Sequence, residues 1–227
     1  MIGLSLLGLV VRVGAVLGDR GLAAGGDSFF YTQAANLLVS GHGWINPFGY
    51  YGPHHVVEPS AAFPPLFTLV LAVPSAVGLQ SFLAHRLWCC LVGALAVPLA
   101  AAMGRRLGGG RTGIVAAALT AVYPNLWMAD ALGMSETLSP VLVLAVLLLA
   151  YRVWDRRTWS AALWLGLMIG VAALGRDELA LLCVLVLLPL TLARRMGPMR
   201  HRLQLLVVGG LAAAFAVAPV VAFNLSR

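Results

Sequence analysis

Gly25-Gly26-Asp27-Ser28-Phe29-Phe30-Tyr31-Thr32-Gln33-Ala34-Ala35-Asn36-Leu37-Leu38, continued to Gly41-His42-Gly43-Trp44, is where the chain leaves its first apolar segment and opens its only long polar loop. One carboxylate, Asp27, stands at its head. Phe30, Ala34, Leu37 and Leu38 follow at helical spacing, and glycines end the pattern. A polar loop carrying its own short helix, set between long apolar runs, predicts a scaffold that holds the loop against a membrane.

Composition agrees. Of 227 residues, 61% are hydrophobic and 10% charged, and mean hydropathy is +0.93. Soluble domains run nearer ~45–50% apolar and ~25% charged, so the chain reads as an integral membrane protein. Seven apolar runs are read as crossing helices, at about 2–18, 85–104, 112–128, 136–152, 159–175, 178–193 and 203–223. An eighth, Leu66–Val77, follows Pro64-Pro65 and contains Pro74, and is expected to lie at the interface or re-enter rather than cross. Alternating ten-residue strands are absent from the sequence, which excludes a β-barrel. The expected fold is all-α and polytopic, one module over residues 1–227, with interfacial helices in a first extracytoplasmic loop of about residues 19–84. Gly104, Gly108, Gly109 and Gly110 predict helix stops and a tight turn.

All 15 basic residues are arginine and the net charge is +7. They sit in short clusters between apolar runs, which is a topology signal and not a nucleic-acid stripe. Arg105-Arg106…Arg111, Arg152…Arg156-Arg157 and Arg194-Arg195…Arg200…Arg202 go to the cytoplasm. The turns carrying Asp130 and Glu136, then Asp177 and Glu178, go outside, as does the Asp27 loop. A crossing Leu66–Val77 would flip the N-terminus and bring that loop inside. Cys89, Cys90 and Cys183 lie in apolar segments and read as free core thiols. The first segment lacks a basic start and a small-residue cleavage site, so it reads as a retained helix. The all-arginine, Ala/Leu/Val-rich composition looks bacterial, and the expected location is the plasma (inner) membrane.

Charges in or beside a bilayer are costly, so each requires a reason. Asp27 has two compatible readings, an N-cap on the Ser28–Val39 helix or a general base at the membrane face. His54-His55-x-x-Glu58 reads as a solvated or acceptor-contacting loop ahead of a metal site. Ser135-Glu136 reads as a capped helix start or as part of a polar cavity beside Asp27. Arg176 lies against the positive-inside trend. It is either paired with Asp177 or Glu178 across a tight turn, or a clamp for phosphate. Arg86, at the outer start of its helix, is another phosphate candidate. Arg12, inside the first helix, either snorkels or joins the same anionic pocket. Tyr31, with Phe29 and Phe30, reads as interfacial belt first and as a sugar-stacking residue second.

Taken in order, several motifs resemble the GT-C-type glycosyltransferases that use polyprenyl-phosphate sugars. The likeness is to the bacterial branch related to protein O-mannosyltransferases, aminoarabinose transferases and RgtA-type lipopolysaccharide transferases. It rests on Gly26-Asp27-x-x-x-Tyr31-x-x-Ala34-x-x-Leu37 with Gly41 and Gly43, then Phe63-Pro64-Pro65-Leu66 and His85-Arg86-Leu87. Arg105-Arg106-Leu107-Gly108, Tyr123-Pro124, Ser135-Glu136 and Ala173-Leu174-Gly175-Arg176-Asp177-Glu178 complete it. The resemblance implies a seven-helix module with an outward-facing active site. It implies inverting transfer from a polyprenyl-phosphate sugar to an acceptor hydroxyl on a glycan, lipid or protein. Asp27 would be the base, and Tyr31, Glu58, Glu136, Asp177 and Glu178 would line the substrate pocket. The donor phosphate would rest on Arg176, then Arg86 and Arg12; an arginine there replaces a metal, so no cofactor is expected, though a divalent metal stays open. Two departures stand out: several relatives carry a second acid where this chain has Ser28, and relatives are generally longer, so this is expected to be an N-terminal fragment.

Two other classes compete, a transporter or flippase for a lipid-linked or small anionic substrate and a non-catalytic assembly subunit. A transporter predicts charges at mid-membrane depth in several helices. By the arginine count, the charges here gather at the outer face.

Overall fold

The structure, a computed structural model, describes residues 2–60 and 62–226. It divides into two compact units, Met1–Pro140 and Val141–Arg227. Among the described residues there are helices and no strands, only an isolated bridge between Ile45 and Pro59.

The first unit begins with α1 (Ile2–Gly18), then α2 (Asp27–Val39), the single turn α3 (Pro47–Tyr50) and α4 (Pro65–Ala76). It continues through α5 (Phe82–Ala94), α6 (Ala96–Val122) and α7 (Pro124–Leu132), a 3-10 turn at Ser135–Thr137, and the start of α8 (Leu138–Arg156). Proline sets three of these starts. Pro47, Pro65 and Pro124 each stand in the first turn of their helices, where the missing N–H has no helical partner to lose. α4 spans 12 residues, about 18 Å at ~1.5 Å per residue, well short of the ~30 Å hydrocarbon core.

α6 is a hairpin drawn as one helix. Gly108 leaves helical geometry and Gly109 takes φ 80°, ψ −168°, a backbone that favours glycine. The legs then close: a Cβ on Gly104 would stand 2.8 Å from the Thr112 carbonyl, and one on Gly113 would stand 2.8 Å from that of Ala101. Only Gly108 and Gly109 make the turn, so Gly104 is a close-packing residue and not the helix stop expected of it. Val97, Ala101, Ala117 and Ala121 form the buried seam, with Leu4 of α1 against it.

The second unit holds the rest of α8, then α9 (Trp159–Gly175), a 3-10 turn at Asp177–Leu181, a π-helical turn at Cys183–Leu187, α10 (Leu188–Leu192) and α11 (Met199–Leu225). The straight helix expected over 178–193 is broken. Pro189 cannot donate to a carbonyl one turn back, and just before it the Leu188 N–H reaches Cys183, five residues back. α9 and α11 run parallel on small residues: a Cβ on Gly166 would stand 2.0 Å from the Gly209 carbonyl, and one on Gly170 would stand 2.6 Å from that of Ala213.

Among the described residues, three helical stretches are long and apolar enough to cross a membrane: Phe82–Val122, Ser135–Arg156 and Met199–Leu225. The first contains the α6 hairpin. Ile2–Gly18, Pro65–Ala76 and Trp159–Gly175 are shorter apolar helices.

Candidate functional site

Asp27 is the first residue of α2 and is exposed. The N-cap is Gly26, at φ 54°, ψ −129°, and no side chain caps the helix. The Asp27 carboxylate makes no hydrogen bond or ion pair among the described residues. It stands exposed in the first turn, at the positive end of the α2 dipole. Ser28 ties the turn down: its hydroxyl donates to the Gly25 carbonyl at 2.9 Å and accepts from the Gly25 N–H at 3.2 Å.

Behind Asp27, α2 is fixed by aromatic packing. Phe30 and Tyr31 are buried, and their ring centroids lie 4.6 and 5.2 Å from that of Phe63. Tyr31 also meets Phe67 edge-on at 4.9 Å. The ring proposed to stack a sugar is thus part of the core under α2. Phe29 stacks on Phe48 at 5.5 Å and meets Tyr51 at 6.2 Å, at the partly exposed edge of this cluster. Burial, and then the neighbouring Tyr50, raise the Tyr51 phenol above its ordinary pKa.

A buried polar chain locks the far end of α2 to α4 and α5. The Ser75 hydroxyl lies 2.8 Å from Asn36 Oδ1 and 2.9 Å from His85 Nε2, and Asn36 Nδ2 donates to the Gln80 carbonyl at 3.0 Å. With Nε2–H donating to Ser75, that hydroxyl donates onward to Asn36, leaving His85 Nδ1 buried without a partner. The Asn36–Ser75 pairing is absent from the sequence reading. Its one signal is the scarcity of polar residues in these segments.

Arg86 is 1% exposed. Its Nε donates to the Ala131 carbonyl at the end of α7, its Nη1 donates to the Asp19 carbonyl at 2.7 Å, and its guanidinium lies 5.6 Å from the Phe82 ring centroid. Arg12 is equally buried and pairs with Asp130 at 2.7 Å. Arg86 and Arg12, two of the three expected phosphate ligands, are thus engaged within the first unit. Asp130, expected in an outer turn, is the carboxylate that answers Arg12.

Glu58 is exposed, and its carbonyl accepts from the Asn46 N–H at 2.7 Å. The His55 ring lies 2.8 Å from the Tyr50 carbonyl, while His42 bridges the hydroxyls of Ser40 and Tyr50 at 2.9 and 3.1 Å. Among the described residues no three of His, Cys, Asp and Glu gather to hold a metal. Glu136 is exposed in the 3-10 turn Ser135–Thr137. Met134 and not Ser135 occupies the cap position there, and no side chain caps it. The Ser-capped helix start expected at Ser135 does not form; α8 begins at Leu138.

In the second unit, α9 ends at Gly175 and Arg176 turns the chain in extended geometry, φ −153°. Its Nε and Nη2 reach Glu178 Oε1 at 3.0 and 2.7 Å, with the side chains 29% and 58% exposed. Of the two acids in this turn, Glu178 is the one that pairs with it. Asp177 is exposed in the same turn.

Residues 62–223 match the model of the dolichyl-phosphate-mannose-protein mannosyltransferase family. The chain belongs to that family. Membership makes it a glycosyltransferase of a family whose donor is a lipid-linked sugar, housed in apolar helices. The family match takes in Arg86, Glu136, Arg176, Asp177 and Glu178, and it starts after Asp27, Tyr31 and Glu58. Searches of curated proteins and of solved structures each found no match.

Proposed function

We propose that this mannosyltransferase-family chain transfers a sugar from a polyprenyl-phosphate carrier to an acceptor hydroxyl at the outer face of the plasma (inner) membrane, with inversion. The observation that carries the reading is the family match over most of the chain. The Asp27 carboxylate takes the acceptor proton as the acceptor oxygen attacks the anomeric carbon. The bond from that carbon to the phosphate oxygen breaks, and polyprenyl phosphate leaves with the electron pair. The exposed, unpaired state of Asp27 at the head of α2 supports this role. On the second unit, Arg176 is proposed for the donor phosphate, since a guanidinium fork suits two phosphate oxygens. Glu58, Glu136, Asp177 and Glu178 are proposed to contact substrate. With Leu66–Val77 not crossing, the clustering of arginine in the opposite turns supports an outer position for the Asp27 loop.

The test has two arms. A single cysteine at Ser40, with Cys89, Cys90 and Cys183 replaced, is expected to react with an impermeant thiol reagent on intact cells. Reaction only after lysis would put the loop in the cytoplasm and end the outer-face reading. In proteoliposomes holding a polyprenyl-phosphate sugar, the wild-type chain is expected to form a product of inverted anomeric configuration and Asp27→Asn to form almost none. Full transfer by Asp27→Asn would remove Asp27 from the mechanism.

A further inference from the structure

In the second unit a groove runs along the parallel pair α9 and α11. Near the start of both helices it is an open depression of about 430 Å³ lined by Trp159, Arg200, Leu203, Gln204, Val207 and Val208. Val208 also lines the next segment, about 730 Å³, walled by Leu163, Leu167, Leu211 and Phe215 and reaching Ala218. The groove has a physical cause. The helices approach closely through Gly166, Gly170 and Gly209, and longer side chains of both helices wall the groove beside that contact. From Arg200 to Ala218 the trough runs about 27 Å at ~1.5 Å per residue, longer than one hydrocarbon leaflet, which is half of the ~30 Å core.

One end differs from the rest. Arg200 is exposed and makes no hydrogen bond or ion pair among the described residues. Nearby Arg202, by contrast, is spent on the carbonyls of Gly197 and Leu192, at 2.8 and 3.1 Å. Trp159, 56% exposed, presents an amphipathic ring beside Arg200. The N-termini of α9 and α11 meet there, and their dipoles add to the positive field. The adjoining turns carry Arg156, Arg157, Arg194 and Arg195 against Asp155. A free cation at one end of an otherwise apolar trough complements a molecule with one anionic end and a long apolar remainder.

We infer that this groove binds an anionic phospholipid. Its phosphate lies on Arg200 and the Gln204 amide beside Trp159, and one acyl chain runs past Leu163 toward Phe215. The site goes beyond the proposed transfer reaction and does not depend on it. By the arginine bias it faces the cytoplasmic leaflet, whose anionic lipids attract such ends.

The full chain, reconstituted in phosphatidylcholine vesicles, is titrated with brominated phosphatidylglycerol or brominated phosphatidylcholine while tryptophan fluorescence is read. Phosphatidylglycerol is expected to quench at a lower mole fraction, and Trp159→Phe to remove the excess quenching. Arg200→Gln is expected to weaken the preference about fivefold, the effect of one basic residue at an anionic surface. Ala214 also lines the second segment, and Ala214→Phe, which fills the groove and leaves Arg200 intact, is expected to abolish it. Equal quenching by the two lipids overturns the proposal. So does a preference that both groove variants leave unchanged, a site that only polyprenyl phosphate fills, or cross-linking that places a second copy of the chain on this face.

Discussion

Arg12 Nε and Asp130 Oδ2 stand 2.7 Å apart, and both side chains are 1% exposed. The two residues are far apart in sequence, and neither is tolerable alone at that burial. The surroundings are shaped for them. Arg12 also donates to the Gly8 carbonyl at 2.9 Å and the Ala121 carbonyl at 3.3 Å, while a Cβ on Gly93 would stand 2.3 Å from Asp130 Oδ2. Asp130→Asn or Arg12→Gln alone is expected to destabilise the protein by ~3–5 kcal/mol, the usual cost of orphaning one buried charge. Arg12→Leu combined with Asp130→Leu is expected to recover most of that loss. Thermal unfolding in detergent gives both numbers; single variants that melt like wild type would show that the pair does not hold the first unit.

Asp27 makes the opposite forecast. Its carboxylate supports nothing structural, so Asp27→Asn is expected to leave the melting temperature within a degree or two. The lost charge at the α2 N-terminus costs no more than ~1 kcal/mol. Transfer is expected to fall by about 10²–10⁴-fold, the usual contribution of a general base. Rate and melting curve measured on one preparation separate a chemical role from a folding one.

Arg176 and Glu178 form a half-exposed pair, and such pairs contribute little to stability, ~0–1 kcal/mol. Arg176→Gln should therefore fold normally. If Arg176 binds the donor phosphate, the variant's KM for the polyprenyl-phosphate sugar rises steeply while KM for the acceptor holds. Glu178→Gln removes one of its partners and a proposed substrate contact, and is expected to raise KM for the acceptor while sparing that for the donor. A Glu178→Gln variant that raises the donor KM as much as Arg176→Gln and also melts lower would assign the pair to structure.

Gly166 tests the seam of the second unit. With a Cβ there only 2.0 Å from the Gly209 carbonyl, Gly166→Ala must push α11 away. A loss of ~1–3 kcal/mol is expected from overpacking. Gly14→Ala in α1 is the control, because nothing lies within 4 Å of its added methyl. It is expected to be neutral or to stabilise slightly, since alanine loses less freedom than glycine in a helix. Equal melting of the two variants would refute the close packing.

The sequence by itself determined the solvent, the helical class, most helix positions and the Gly108–Gly109 turn. Each follows from short-range physics: the length of an apolar run, proline at a helix start, a glycine free to take positive φ. It also marked Asp27, because a carboxylate at the head of the only long polar loop is conspicuous without any fold. Tertiary structure alone decided what the charged residues touch. Arg12 and Arg86 looked like phosphate ligands because an arginine near a membrane face has the same local signature whether it meets a ligand or a distant carbonyl. Asp130, Ala131 and Asp19, which claim those guanidinium groups, lie too far along the chain for any periodicity to connect. The same holds for Tyr31, read as an interfacial ring and found under Phe63 and Phe67, and for the groove between α9 and α11. Local propensity is written residue by residue, whereas a charge finds its partner only when distant helices close on one another.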